Sequence, residues 1–148
     1  MKKKIAFVSA LLLALSVQTA EAAVKVTVLN PSKISTKTGL VTLTVSGLPA
    51  EHGIYISQCM AIEEGKKKPS ACNPAKASKL WISDVPADIA MGATSSKSKL
   101  TMKVDKYFTK GDCVHTKCIF YITNDHNAPT DRSEDQAIQF KFSGINLF

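Results

Sequence analysis

The residues with most chemistry to offer are four cysteines, Cys59, Cys72, Cys113 and Cys118. A structural zinc site would set them at C-x2-4-C spacing, often matched with H-x3-5-H, and neither pattern occurs. The other use of an even cysteine count is a disulfide framework, for which four residues permit three pairings. Spacing biases the choice towards Cys59–Cys72 and Cys113–Cys118, each closing a short loop beside an apolar stretch and serving structure, not catalysis. Acid–base and nucleophilic machinery is not spelled out. The chain has no G-x-S-x-G elbow, no H-E-x-x-H and no phosphate-cradling glycine loop. His52, His115 and His126 all fall in turn-like stretches, with no nucleophile in view. Asn124 to Asn127, with Asp131, Glu134 and Asp135, gathers oxygen ligands in one loop but lacks the glycine and terminal glutamate of an EF-hand. These residues describe a binding protein, not an enzyme, with no required metal or cofactor.

Charge is the second chemical signal. The 148 residues carry 19 Lys+Arg against 12 Asp+Glu, a net charge of +7. Lys97, Lys99 and Lys103 line one face of a strand-like segment, and Lys66, Lys67 and Lys68 cluster in a loop. Such a surface suits an anionic polymer, lipid headgroups or nucleic acid; the plainer reading is a solvated strand face. Arg132 is the sole arginine and Trp81 the sole tryptophan, which speaks against specific nucleic-acid recognition by stacking.

An address precedes the domain. Lys2 to Lys4 form a basic n-region, Ile5 to Val17 an uncharged stretch, and Ala20-Glu21-Ala22 an A-x-A cleavage site. The apolar run is shorter than the roughly 20 residues that span a bilayer. The pattern predicts a cleaved Sec signal over residues 1–22 and one exported domain over 23–148, extracellular and either free or held at the cell surface. The oxidising destination favours disulfides over zinc.

The elements that must position any site are strands. Val24, Val26 and Val28 alternate with Lys25 and Thr27; Val41, Leu43 and Val45 alternate with Thr42 and Thr44. Gly53 to Cys59, Leu80 to Ile82, Lys99 to Val104, Cys118 to Asn124 and Ile138 to Phe142 complete a set of seven, separated by turn signals such as Asn30-Pro31, Asn73-Pro74, Val85-Pro86 and Met91-Gly92. Seven short strands so punctuated predict an all-β, antiparallel, immunoglobulin-like sandwich. The third and sixth strands break the alternation. Ile54, Ile56, Phe120 and Ile122 are expected to face the core. Tyr55, Ser57, Ile119, Tyr121 and Thr123 would then share an outer face that something must cover. A ligand cleft is one cover, and the two cysteine loops folding over the face are the other.

Ser57-Gln58-Cys59, then Ala71-Cys72-Asn73-Pro74-Ala75, then Asp112-Cys113, Cys118 and Thr123-Asn124-Asp125, and finally Ala137-Ile138-Gln139-Phe140, resemble segments of the neocarzinostatin family in order. The resemblance spans nearly the whole mature chain. It implies the pairings Cys59–Cys72 and Cys113–Cys118, and a cleft on the face that carries Tyr55 and Tyr121. Members of that family are secreted sandwiches, the best known of which hold a labile enediyne chromophore, protect it and release it; the chromophore, not the protein, cleaves DNA. The resemblance thus implies an antibiotic or antimicrobial carrier, monomeric, with an apolar aromatic small molecule as partner and non-covalent chromophore. The implied contacts are Tyr55, Ser57, Ala61, Ala77, Ile119, Tyr121 and Thr123, with Gln58 as a polar anchor. Departures are specific. Ser57 and Tyr121 stand where that family has cleft-floor glycines, Ala61 and Ala77 where it has pocket aromatics, and the hairpin before the third cysteine shrinks to about Tyr107–Gly111. Two expectations therefore stand side by side: an open carrier cleft, or a cleft filled by Tyr55 and Tyr121 on a surface interaction module.

Overall fold

The structure is a computed structural model and describes residues 24–144. The leader expected over residues 1–22 lies outside the described residues. No described helix is long and apolar enough to cross a membrane.

Valine- and threonine-rich alternation builds a three-stranded antiparallel sheet in the order β1-β2-β5, from β1 (Lys25–Val28), β2 (Leu40–Ser46) and β5 (Leu100–Lys103). Opposite it lies a four-stranded antiparallel sheet in the order β4-β3-β8-β9, from β3 (Ile54–Met60), β4 (Lys79–Ile82), β8 (Cys118–Asn124) and β9 (Gln136–Phe140). Branched and aromatic side chains suit such half-buried pleats. One core joins the sheets: Val26, Val41, Leu43, Val45, Leu100 and Met102 from the first meet Ile54, Ile56, Ile82, Phe120, Ile122 and Phe140 from the second. The expected sandwich is the observed one, and both expected disulfides are formed.

Three local features go beyond the expected strands. Tyr107–Phe108 (β6) and Gly111–Asp112 (β7) pair as a two-residue ribbon where a shortened hairpin is expected. Pro86–Ala90 forms a short helix, α1, with Pro86 in its first turn, where a fixed φ is already helical and a missing N–H costs nothing. Five residues are too few to show a helical period in sequence. The last strand ends at Phe140; Phe142 instead bridges Ile34, with its ring still buried against Phe140.

Register decides which side chains share a surface. Tyr55 opposes Trp81 on one side and Thr123 on the other, Ser57 opposes Lys79 and Tyr121, and Cys59 opposes Ile119. Residues directly opposite in antiparallel strands project to the same face. These rows therefore form the outer face of the four-stranded sheet, away from the core.

Candidate functional site

The outer face divides in two. At the β8 side it is covered. Cys59, Ile119 and Tyr121 are buried in a second small apolar cluster, with Ala61 and Ile62 packed on it. The Tyr121 hydroxyl accepts from Arg132 Nη2 at 2.5 Å and donates to Asp135 Oδ2 at 3.2 Å, and Arg132 and Asp135 pair with each other. Burial, then the Asp135 carboxylate, raises the Tyr121 pKa, so the phenol stays protonated. This half of the face is filled by the Tyr121 side chain.

At the β4 side the face is open. A cleft of about 890 Å³ lies over Tyr55, Ser57, Lys79 and Trp81, walled by Cys72–Lys76 on one flank and by Met91, Gly92 and Thr94 on another. Its wall follows from how β3 is paired. β4 covers β3 only from Ile54 to Ser57. Beyond that, the Cys72 segment takes over the edge: Met60 N–H donates to the Ala71 carbonyl at 2.9 Å and Asn73 N–H to the Gln58 carbonyl at 2.8 Å. Between these two pairings the chain leaves the sheet as Pro74–Ala75 and a 3-10 turn, Lys76–Ser78, and this excursion is the wall.

The floor is aromatic and held from behind. The Trp81 and Tyr55 rings lie 6.3 Å apart, and His126 packs edge-on to Trp81 at 4.9 Å. The Tyr55 hydroxyl sits 2.7 Å from His126 Nδ1. Trp81 Nε1 donates to Asp125 Oδ2 at 2.9 Å, and the same oxygen accepts from Gly53 N–H at 2.9 Å. Burial pushes the Asp125 carboxyl upward, but the bonds from Trp81, Asn127 and Gly53 outweigh it and hold the pKa below the ordinary carboxylate value. Gly53 is needed for this approach: a Cβ there would meet the Ile82 carbonyl oxygen at 2.3 Å. Burial, with the Asp125 and Asp88 charges, raises the Tyr55 phenol.

Of the contacts expected from sequence, Tyr55 and Ser57 line the cleft. Thr123 shares their face, half-buried beside Tyr55. Ile119 and Tyr121 lie on the face under cover, Ala77 is exposed on the 3-10 turn, and Ala61 lines a separate apolar hollow of about 390 Å³ with Met60, Ile62 and Thr116. Gln58 requires correction. Alternation turns it to the opposite side of β3, fully buried, so it does not reach the cleft as an anchor. Its amide is instead a structural clasp: Nε2 donates to the Asp105 carbonyl at 2.6 Å, and Oε1 accepts from Asn73 Nδ2 at 2.8 Å and Asp105 N–H at 2.9 Å. Sequence reasoning missed Lys79, Trp81 and the Met91–Thr94 wall. The first two were legible as alternate residues of the fourth strand; the wall depends on a bridge between Ile82 and Thr94 that no local pattern announces.

No family model matches the chain, and no curated protein matches it. Among solved structures, macromomycin resembles it with a TM-score of 0.52 at 19% identity, over 82% of this chain and 100% of that one. At that identity the likeness establishes a shared fold.

Proposed function

We propose that this protein is a secreted binding or carrier protein of the neocarzinostatin type, which holds an apolar aromatic small molecule in the cleft over Tyr55 and Trp81. The observation that carries the proposal is the cleft itself: about 890 Å³ of concavity with an aromatic floor on the outer face of a sandwich sheet, where a flat solvated surface would suffice for structure alone. The macromomycin-like fold and the ordered cysteine segments support it. The two disulfides fit an oxidising, extracytoplasmic setting. In this reading the cargo does the chemistry and the protein excludes water from it. If the cargo is of the kind held in the family that the sequence resembles, the downstream effect is antibacterial and falls on DNA.

The test is native mass spectrometry with an absorption spectrum on protein recovered gently from its producer's medium. A stoichiometric extra mass, absorbing beyond the protein's own aromatic band, is expected. A bare chain that also fails to take up an apolar aromatic fluorophore overturns the carrier reading.

A second reading has its own observation. The outer face of the three-stranded sheet presents exposed Lys25, Lys99 and Lys103 together with Leu29 and Leu40, 64% and 59% exposed. A cationic face with apolar points suits an anionic surface polymer, and such binding would weaken steeply as salt rises.

A further inference from the structure

We infer that the molecule held in this cleft is an anionic aromatic: a planar ring system bearing a carboxylate, sulfonate or phosphate. The inference rests on the carrier reading and narrows it to a charge class. The observations are four. No Asp or Glu lines the cleft, while Lys76 and Lys79 both do. Among the described residues neither lysine has an ion pair with a carboxylate. Lys79 Nζ instead lies over the Tyr55 ring, 3.9 Å from its centroid, so the ammonium rests on the surface an incoming aromatic would stack against. Asp125, which holds the floor through Trp81, does not line the cleft and is engaged by Trp81 Nε1 and Gly53 N–H.

Together these set an exchange. An arriving ring displaces the Lys79 ammonium from the Tyr55 face, and the freed cation needs a new counter-charge. An acidic substituent on the same ligand supplies it at hydrogen-bonding distance, with Lys76, on the cleft wall, as the second positive group. Low-dielectric walls concentrate the field of two uncompensated cations, which favours an anion and opposes a cationic ligand. A neutral ring would still stack, but would leave Lys79 displaced without compensation.

The test compares two fluorophores with one skeleton: anilinonaphthalene sulfonate and its uncharged parent, N-phenylnaphthylamine. Each is titrated against the whole disulfide-bonded protein, the Lys76→Gln/Lys79→Gln double variant and a cleft-blocking Ser57→Trp variant. The lysines are exposed, so the double variant keeps the fold; circular dichroism checks Ser57→Trp. Both fluorophores should bind wild type and lose binding in Ser57→Trp. The sulfonate should bind about five- to tenfold more tightly than the parent, an advantage that falls to within about twofold in the lysine double variant and shrinks as salt is raised. Equal affinities in wild type, or an advantage unchanged by the lysine substitutions, overturns the anionic class and leaves the carrier reading standing. Binding of neither fluorophore, or binding untouched in a folded Ser57→Trp, removes the cleft as a ligand site and both readings with it.

Discussion

Tyr55 and Asp125 meet through Trp81, and what each does depends on a neighbour from another strand. The Tyr55 phenol is raised by burial and by two carboxylates, and the Tyr121 phenol by burial and Asp135. Spectrophotometric titration of the 3 tyrosines should therefore show components ionising above the ordinary tyrosine range, one of them removed by Tyr55→Phe and one by Tyr121→Phe. Asp125 has the opposite sign. Its folded pKa is depressed, so its contribution to stability is present above the ordinary carboxylate range and is lost as pH falls through the folded value. Chemical denaturation across the acid limb should show wild type losing stability there, and Asp125→Asn, which keeps an accepting oxygen without the charge, losing less. Asp125→Ala removes the acceptor for Trp81 and Gly53 at once and should cost about 3 kcal/mol. Tyr121→Ala, which empties the filled half of the outer face, should cost about 3–4 kcal/mol and widen the space beside Ser57.

Among the elements, the interrupted edge of β3 matters most for the site. β4 and the Cys72 segment share that edge, and the excursion between them is the cleft wall. Two devices hold it: the Cys59–Cys72 bond and the Asn73 amide, which reaches Gln58 Oε1, Ser78 Oγ and Asp105 Oδ2. Replacing Cys59 and Cys72 by alanine should cost about 2–3 kcal/mol in denaturant unfolding and also weaken fluorophore binding, because the wall is released. Removing Cys113–Cys118, which closes a shorter loop away from the cleft, should cost about 2 kcal/mol and leave fluorophore affinity near wild type. Asn73→Ala should resemble the first in kind: it removes the amide's bonds to Gln58 Oε1, Ser78 Oγ and Asp105 Oδ2, at about 2 kcal/mol, and loosens the same wall.

The chain's net charge is +7, and two groups of its lysines among the described residues stand on surfaces of different kinds, with different consequences. Lys76 and Lys79 flank a concave aromatic floor, where walls focus their field on one small ligand. Lys25, Lys99 and Lys103 stand on a sheet face, where solvent screens them and only a polymer could engage several together. Charge reversal on the second set, as Lys25→Glu/Lys99→Glu, should therefore abolish any salt-sensitive retention on an anionic matrix while leaving fluorophore affinity unchanged. Lys76→Gln/Lys79→Gln should leave that retention in place and remove only the sulfonate's advantage over its uncharged parent.

Strand identity and the two-sheet architecture were already legible in Val24–Val28, Val41–Val45 and the Ile54/Ile56 and Phe120/Ile122 sets, because a period of two is a local property of the chain, whereas cysteine spacing only biased the choice among three pairings. Alternation set Tyr55 with Ser57 and Ile119 with Tyr121 on one side of their own strands, and an immunoglobulin-like strand order then made these sides one outer face. Alternation also places Gln58 on the core side, once the strand is known to run unbroken through Cys59. What covers that face was decided only by tertiary structure. Arg132 and Asp135 close over Tyr121 from a loop, whereas Cys72–Lys76 and Met91–Thr94 rise beside Tyr55 and Trp81 without closing. Both arrangements depend on contacts that strand alternation does not specify, such as Ile82 with Thr94 and Tyr121 with Arg132, and these leave no periodic trace in the residues themselves.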